Sequence, residues 1–287
     1  MATRFYLPST GAAPVSPVFW ASWEKSDEAD RVEMVRAKIS SAFATKACTE
    51  ALADPTDILN RQYVSAPIGI HDFTGCTWKT FIRCVEDLAK MDAKLVIAVR
   101  VVSNDGNTIR FELSDAMGAT EFAYGLVGNL ENRTANDTVS ANTSQNGDRI
   151  VVEIGANAPN GKTTLYTATM DFGDNSGTDL PENETETAQY NPWIEFTHDI
   201  PVMTHKLEGI SKDKDGDALG SCLCFLCKDN QNNSCSYIAY VLSNSVTGAY
   251  SFTGITDSDP QYFVISWKDD SPHVFDVTDH VLQPVVE

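Results

Sequence analysis

Short β-signals separated by tight-turn residues dominate this chain and leave it few folds. From residue 60 onward, runs rich in Val, Ile, Phe, Tyr and Thr recur at Gln62–Ile70, Thr77–Cys84, Lys94–Val102, Thr108–Leu113, Arg149–Ile154, Leu165–Phe172 and Trp193–Phe196. Such runs fit a pleated, half-buried surface. Asn104-Asp105-Gly106-Asn107, Asn146-Gly147-Asp148 and Asn160-Gly161 supply the positive φ that hairpin turns need. Helix signals are nearly absent. Only the segment from about 28 to 60 reads two ways, as a helix over Glu28–Ile39 capped by Ser26-Asp27, or as a strand on the alternation of Arg31–Val35. The expected fold class is all-β. Long connections over 114–145 and 173–190 favour a jelly-roll-like β-sandwich over a meander.

After Ile200–Met203 the pattern restarts with Leu207–Ser211, Ala218–Lys228, Tyr237–Leu242, Ala249–Phe252, Tyr262–Trp267 and Val274–Val277. That stretch has the size and strand spacing of a separate immunoglobulin-like sandwich, with an expected core around Phe225, Tyr250, Phe252, Tyr262 and Trp267. The whole chain, at 287 residues, is long enough for two domains. The expected division is an extended N-terminal arm over 1–27, a jelly-roll-like sandwich over 28–203, and the smaller sandwich over 204–287.

The arm carries Phe5, Tyr6, Phe19, Trp20 and Trp23 among Pro8, Pro14 and Pro17, so it blocks helix while bringing aromatic surface that needs a partner. Two destinations stand open. It straps across its own domain, or it docks on a neighbouring subunit as an attachment arm.

Charge narrows the function classes. Lysine and arginine total 21 against 40 acids, a net charge of −19, which repels a phosphate backbone and argues against nucleic-acid partners. No apolar run approaches the roughly 20 residues of a membrane span, so no membrane partner is expected. The opening MATRFYLPSTGAAPVSP lacks the basic and apolar regions of a secretory signal, so synthesis in a cytoplasm is expected.

Two resemblances follow from particular residues. Leu207-Glu208-Gly209, Asp213-Lys214-Asp215-Gly216-Asp217-Ala218-Leu219 and Thr247-Gly248-Ala249-Tyr250-Ser251-Phe252-Thr253-Gly254-Ile255 resemble the strand, hairpin and signature of the transthyretin-like, carboxypeptidase-regulatory family of small β-sandwiches. In that family the module is a non-catalytic addition. Ala2–Pro17, Leu59–Ser65, Gly147–Val151 and Asn191–Phe196 resemble, in the same order, blocks of a group of tailed-bacteriophage virion proteins that has no assigned chemistry. The resemblance implies a structural setting in a phage particle and names no catalytic residue.

Candidate sites are few. Asp171, Asp174, Asp179, Glu182, Glu184 and Glu186 crowd one loop without a basic residue, so Asp171, Asp174, Asp179 and Glu182 are the candidates for calcium. The spacing matches no calcium loop, and a solvated acidic loop without a cofactor is the favoured reading. Asp213-Lys214-Asp215-Gly216-Asp217 begins like an EF-hand but has Cys224 at the position that needs Glu, so it reads as a hairpin turn. The five histidines show no metal-ligand spacing, and no nucleophile elbow is present. Cys222 and Cys224 share a strand face and read as small apolar side chains. Cys227 and Cys235 flank a polar loop and stand as either free thiols or a disulfide.

These readings converge on a non-enzymatic structural component on the exterior of a tailed-phage virion: a head decoration, collar or fibre-like protein. Its expected partners are capsid, portal, neck or tail proteins, with homo-oligomerisation. The alternative is a carbohydrate-binding adhesion module using Trp78, Tyr124 and Trp193 as a glycan platform.

Overall fold

The computed structural model describes residues 2–42, 44–49, 56–125, 130–158, 166–203, 205–213, 215–229, 235–255, 262–268, 274–277 and 285–286. Among them there is no helix, and the chain divides into two compact units, Met1–Pro201 and Val202–Glu287. Each unit is built of facing sheets.

In the first unit the strands are β1 (Thr3–Tyr6), β2 (Lys25–Met34), β3 (Ala44–Thr49), β4 (Thr56–Ser65), β5 (Thr77–Glu86), β6 (Lys94–Val102), β7 (Ile109–Glu121), β8 (Ala123–Tyr124), β9 (Glu131–Thr138), β10 (Arg149–Ala158), β11 (Thr167–Phe172) and β12 (Trp193–Phe196). One sheet runs β2-β4-β10-β6-β7. The other is centred on the long strand β5, which pairs with β12 and then β11 along one edge and with β9 and β8 along the other; β1 and β3 complete it. The chain crosses repeatedly between the two sheets of an all-β sandwich. Where helix and strand competed, Lys25–Met34 is strand, and this β2 pairs with β4 in parallel.

β6 and β10 are buried along almost their whole length, so they read as continuous apolar runs rather than alternating ones. Their second face is covered by the N-terminal segment. Ala13 and Val15 pack on Val64, Val102 and Val151. Further along, the buried Glu153 carboxylate accepts from the Trp20 backbone N–H, the Trp23 indole at 2.6 Å, Gln62 Nε2 at 2.7 Å and the Arg100 guanidinium. Arg100 also donates to the Val18 carbonyl at 2.9 Å.

Of the two destinations, the structure shows the strap: Phe5, Tyr6, Phe19, Trp20 and Trp23 pack within their own domain. Phe5 is fully buried and meets Phe196 edge-on at 6.2 Å. Tyr6 sits in the register of β1 against β12, the Arg31 guanidinium lies 4.2 Å over Phe19, and Trp20 packs edge-on against Trp23. The physical reason is area: aromatic side chains followed by strand-compatible residues gain more from a sheet edge already present than from solvent.

The second unit contains β13 (His205–Ile210), β14 (Leu223–Asp229), β15 (Cys235–Leu242), β16 (Ala249–Ile255), β17 (Tyr262–Lys268), β18 (Val274–Val277) and β19 (Val285–Val286). A three-stranded sheet, β16-β13-β19, faces a four-stranded one, β15-β14-β17-β18. Leu207, Cys222, Cys224, Leu226, Tyr250, Phe252, Tyr262 and Val264 form the core between them. Two residues expected in this core are elsewhere. Because Cys224 and Leu226 point inward, the period of two turns Phe225 outward, and Trp267, in register with Leu223, turns outward with it. Asp213 heads the expected hairpin turn: its carboxylate accepts the N–H groups of Asp215 and Asp217, and Gly216 adopts φ 89°.

Candidate functional site

Across β9, β5, β12 and β1 the register of the first unit lines up outward residues in rows. Thr138 and Thr77 begin the first, continued by Thr197, whose hydroxyl accepts the Thr77 N–H at 2.9 Å. Asn136, Lys79, Glu195 and Arg4 form the second, and Thr134, Phe81, Trp193 and Tyr6 the third. Directly opposed side chains on one sheet face touch, so these rows are a surface rather than a set of isolated residues.

The acidic loop after β11 covers the Phe81 and Trp193 part of that surface. Leu180, Phe81 and Trp193 form a buried cluster with Tyr6 and Tyr190 against it, and the Trp193 indole donates to the Leu180 carbonyl at 2.8 Å. The loop's carboxylates are tied one by one. Asp179 bridges Arg4 at 2.7 Å and Lys38 at 2.6 Å, Glu182 meets Lys79 at 2.6 Å, and Glu184 accepts from the Thr120 hydroxyl at 2.7 Å. Asp171 pairs with Arg83 at 2.9 Å in the sheet itself, and Asp174 accepts the Ser176 N–H.

Asp171, Asp174, Asp179 and Glu182 each meet a different partner, and Asp179 and Glu182 keep 27% and 52% of their side chains exposed. Asp171, Asp179, Glu182 and Glu184 take their cation or donor from residues far away in sequence, whereas Asp174 is held by Ser176 within the loop, so the loop is a fastened cover.

Beyond the cover the same face opens as a cavity of about 600 Å³, lined by Thr77, Trp78, Lys79, Phe81, Thr134, Asn136, Asp137, Thr138, Glu195 and Thr197. Its wall presents hydroxyl, carboxamide and carboxylate groups, with one ammonium, Lys79, held between Glu182 and Glu195. Such a wall is equipped to exchange hydrogen bonds with a polar ligand.

The expected glycan platform is not assembled. Trp78 is 1% exposed and donates its indole to Ser114 on the facing sheet, Trp193 is 0% exposed beneath the loop, and Tyr124 is exposed beside the far end of β5. The sequence reading missed the groove because β9, Glu131–Thr138, is an Asn-, Asp- and Thr-rich segment that resembles a loop. Its period of two, with Arg133 and Ala135 buried and Asn136 and Thr138 exposed, is faint among so many polar residues. The hairpin at β14–β15 places Asp229 opposite Cys235 and Cys227 opposite Tyr237; the Cys235 side chain lies outside the described residues.

Three electrostatic features lie away from the groove. Burial pushes the Asp171 carboxyl up to about 7, opposed by Arg83 and the Thr45 hydroxyl. Burial likewise pushes Glu86 up to about 7, against the pull of the Ala93 N–H. His71 Nε2 lies 3.3 Å from His198 Nδ1, a pairing invisible in sequence, and burial followed by repulsion from His198 lowers the His71 pKa.

No protein-family model matches the chain, and no curated protein matches it. Among solved structures, a crystal structure of a CocE/NonD family hydrolase from Staphylococcus aureus is similar at 10% identity and a TM-score of 0.39, covering 69% of this chain and 36% of the hydrolase. A second crystal structure of a CocE/NonD family hydrolase from that organism gives 11% identity and a TM-score of 0.25, covering 69% and 35%. The chain thus spans about a third of the hydrolase's length, and the likeness carries nothing about activity.

Proposed function

We propose that this chain is a non-enzymatic structural component on the exterior of a tailed-phage particle, a head decoration, collar or fibre-like protein. One observation carries the reading. The four blocks that resemble phage virion proteins, spread over residues 2–196, come together in space as a single frame. β1 from the first block pairs with β12 from the last. Pro8 and Ser9 of the first block accept hydrogen bonds from Tyr63 and Arg61 of the second, and the second pairs through β4 with β10 of the third. A resemblance made of mutually contacting segments supports a shared architecture more strongly than scattered matches do. The smaller sandwich fits the same role as a non-catalytic module. Mass spectrometry and antibody labelling of purified particles from a phage encoding this chain should find it on the intact exterior. Its confinement to the soluble fraction of the lysate would refute the proposal.

A second reading is favoured by the groove. Thr77, Thr134, Asn136, Thr138 and Glu195 offer the hydroxyl, amide and carboxylate partners that a neutral glycan's hydroxyls need. Saturation-transfer NMR with neutral oligosaccharides should then show contacts that Asn136→Ala removes. Absence of any contact across a broad glycan panel removes this reading and leaves the first untouched.

A further inference from the structure

The outer face of the four-stranded sheet in the second unit is apolar where a solvent-facing sheet should be polar. Register aligns Leu242, Leu223 and Trp267 in one row and Tyr240, Phe225 and Ile265 in the next. Tyr237 adds to it, with Phe225 lying 6.3 Å from both tyrosine rings. Tyr237 is 58% exposed, Tyr240 62%, Leu242 66% and Trp267 38%. The opposite face of the same strands already supplies the core through Cys224, Leu226 and Val264. These outward residues are therefore surplus to the fold of the unit, and antiparallel sheets with one covered face ordinarily alternate apolar with polar residues.

We propose that this face is an interface between two copies of the chain. No charged residue occurs in the two rows, although the protein carries a net charge of −19. Two such chains repel through most of their surface, so a patch free of charge is where they can meet. The occupant must itself be uncharged and apolar, and the same face on a second copy satisfies this under a two-fold axis. Sheets packed face to face at about 10 Å bring the rows into contact.

Area agrees. With roughly 150–250 Å² per aromatic side chain, the exposed fractions amount to on the order of 500 Å² per copy. Two copies then cover roughly 1,000 Å², the lower limit for a specific interface. A glycan fits less well, because the rows contain no carboxylate, amide or guanidinium to pair with its hydroxyls. An anionic lipid surface would be repelled by the acidic chain. The proposal does not depend on the virion reading.

The test is sedimentation velocity of the full chain from about 1 μM to about 1 mM, the range in which a minimal interface associates. The expected mass moves from one chain to two. Tyr240→Glu and Leu242→Glu should each weaken association at least about tenfold, because each forces a charge into the buried face. Ile210→Glu, exposed on the other sheet, should leave it unchanged. If the face variants misfold, hydroxyl-radical footprinting of the wild type decides, with Tyr237, Tyr240 and Trp267 protected only at high concentration. A monomer throughout the range overturns the proposal. So does a dimer indifferent to Tyr240→Glu, or a face already protected at the lowest concentration.

Discussion

Trp23 donates its indole N–H to the Glu153 carboxylate at 2.6 Å, so the segment preceding β2 is fixed to the middle of β10. The same carboxylate holds Gln62 and Arg100, so strap, sheet and counter-charge meet at one buried group. Removing residues 2–23 should therefore abolish the first unit's cooperative melt, since it takes away β1, the buried Phe5 and Leu7, and the cover over Val102 and Val151. Differential scanning calorimetry of the truncated chain checks this, and an unaltered transition would show that the strap is dispensable.

Glu153→Gln should cost about 3–5 kcal/mol, because Arg100 then sits in the interior without its counter-charge. Chemical denaturation measures it. Replacing both residues by Leu should cost less than the single change, the pattern expected when an unpaired buried charge is the dominant penalty.

Gly155 occupies a place that no larger residue can share. A Cβ there would meet the Ile58 carbonyl and lie 2.7 Å from the Trp23 ring. Gly155→Ala should destabilise by about 1–3 kcal/mol through overpacking. It should also quench or shift the Trp23 contribution to fluorescence. A neutral change in denaturation midpoint would mean that strand and strap separate freely.

Glu86 gives a pH signature. Its folded carboxyl titrates at about 7 against an ordinary value of 4.5, so between those values the folded protein holds a proton that the unfolded chain has lost. Its contribution to stability is thus full below about 4.5 and declines as pH rises toward 7. Glu86→Gln should raise the melting temperature at pH 8 and change it little at pH 4. Equal effects at both values would assign the shift to another group.

Much of the fold is legible because the apolar strands announce themselves. β6, β12 and β18 lie where their Val-, Ile- and aromatic-rich runs predict. What was not legible depends on partners remote in sequence. Trp78 and Trp193 resemble platform residues until β7 and the acidic loop are seen to bury them. Asp171, Asp179 and Glu182 look solvated because Arg4, Lys38, Lys79 and Arg83, which neutralise them, all lie more than eighty residues earlier. The surplus of aromatic residues before β2 was visible, but not its destination. The groove was hidden because one of its walls is β9, whose polar composition reads as a loop.

The pairing of β1 with β12 joins Thr3–Tyr6 to Trp193–Phe196, the two ends of the first unit. During synthesis the strand made first must wait for the strand made last, and Phe5 stays without its partner Phe196 until nearly two hundred residues have been added. The sandwich then closes only as the second unit begins to emerge from the ribosome, which makes the newborn chain dependent on late, long-range closure and on protection of its early apolar segments in the interval.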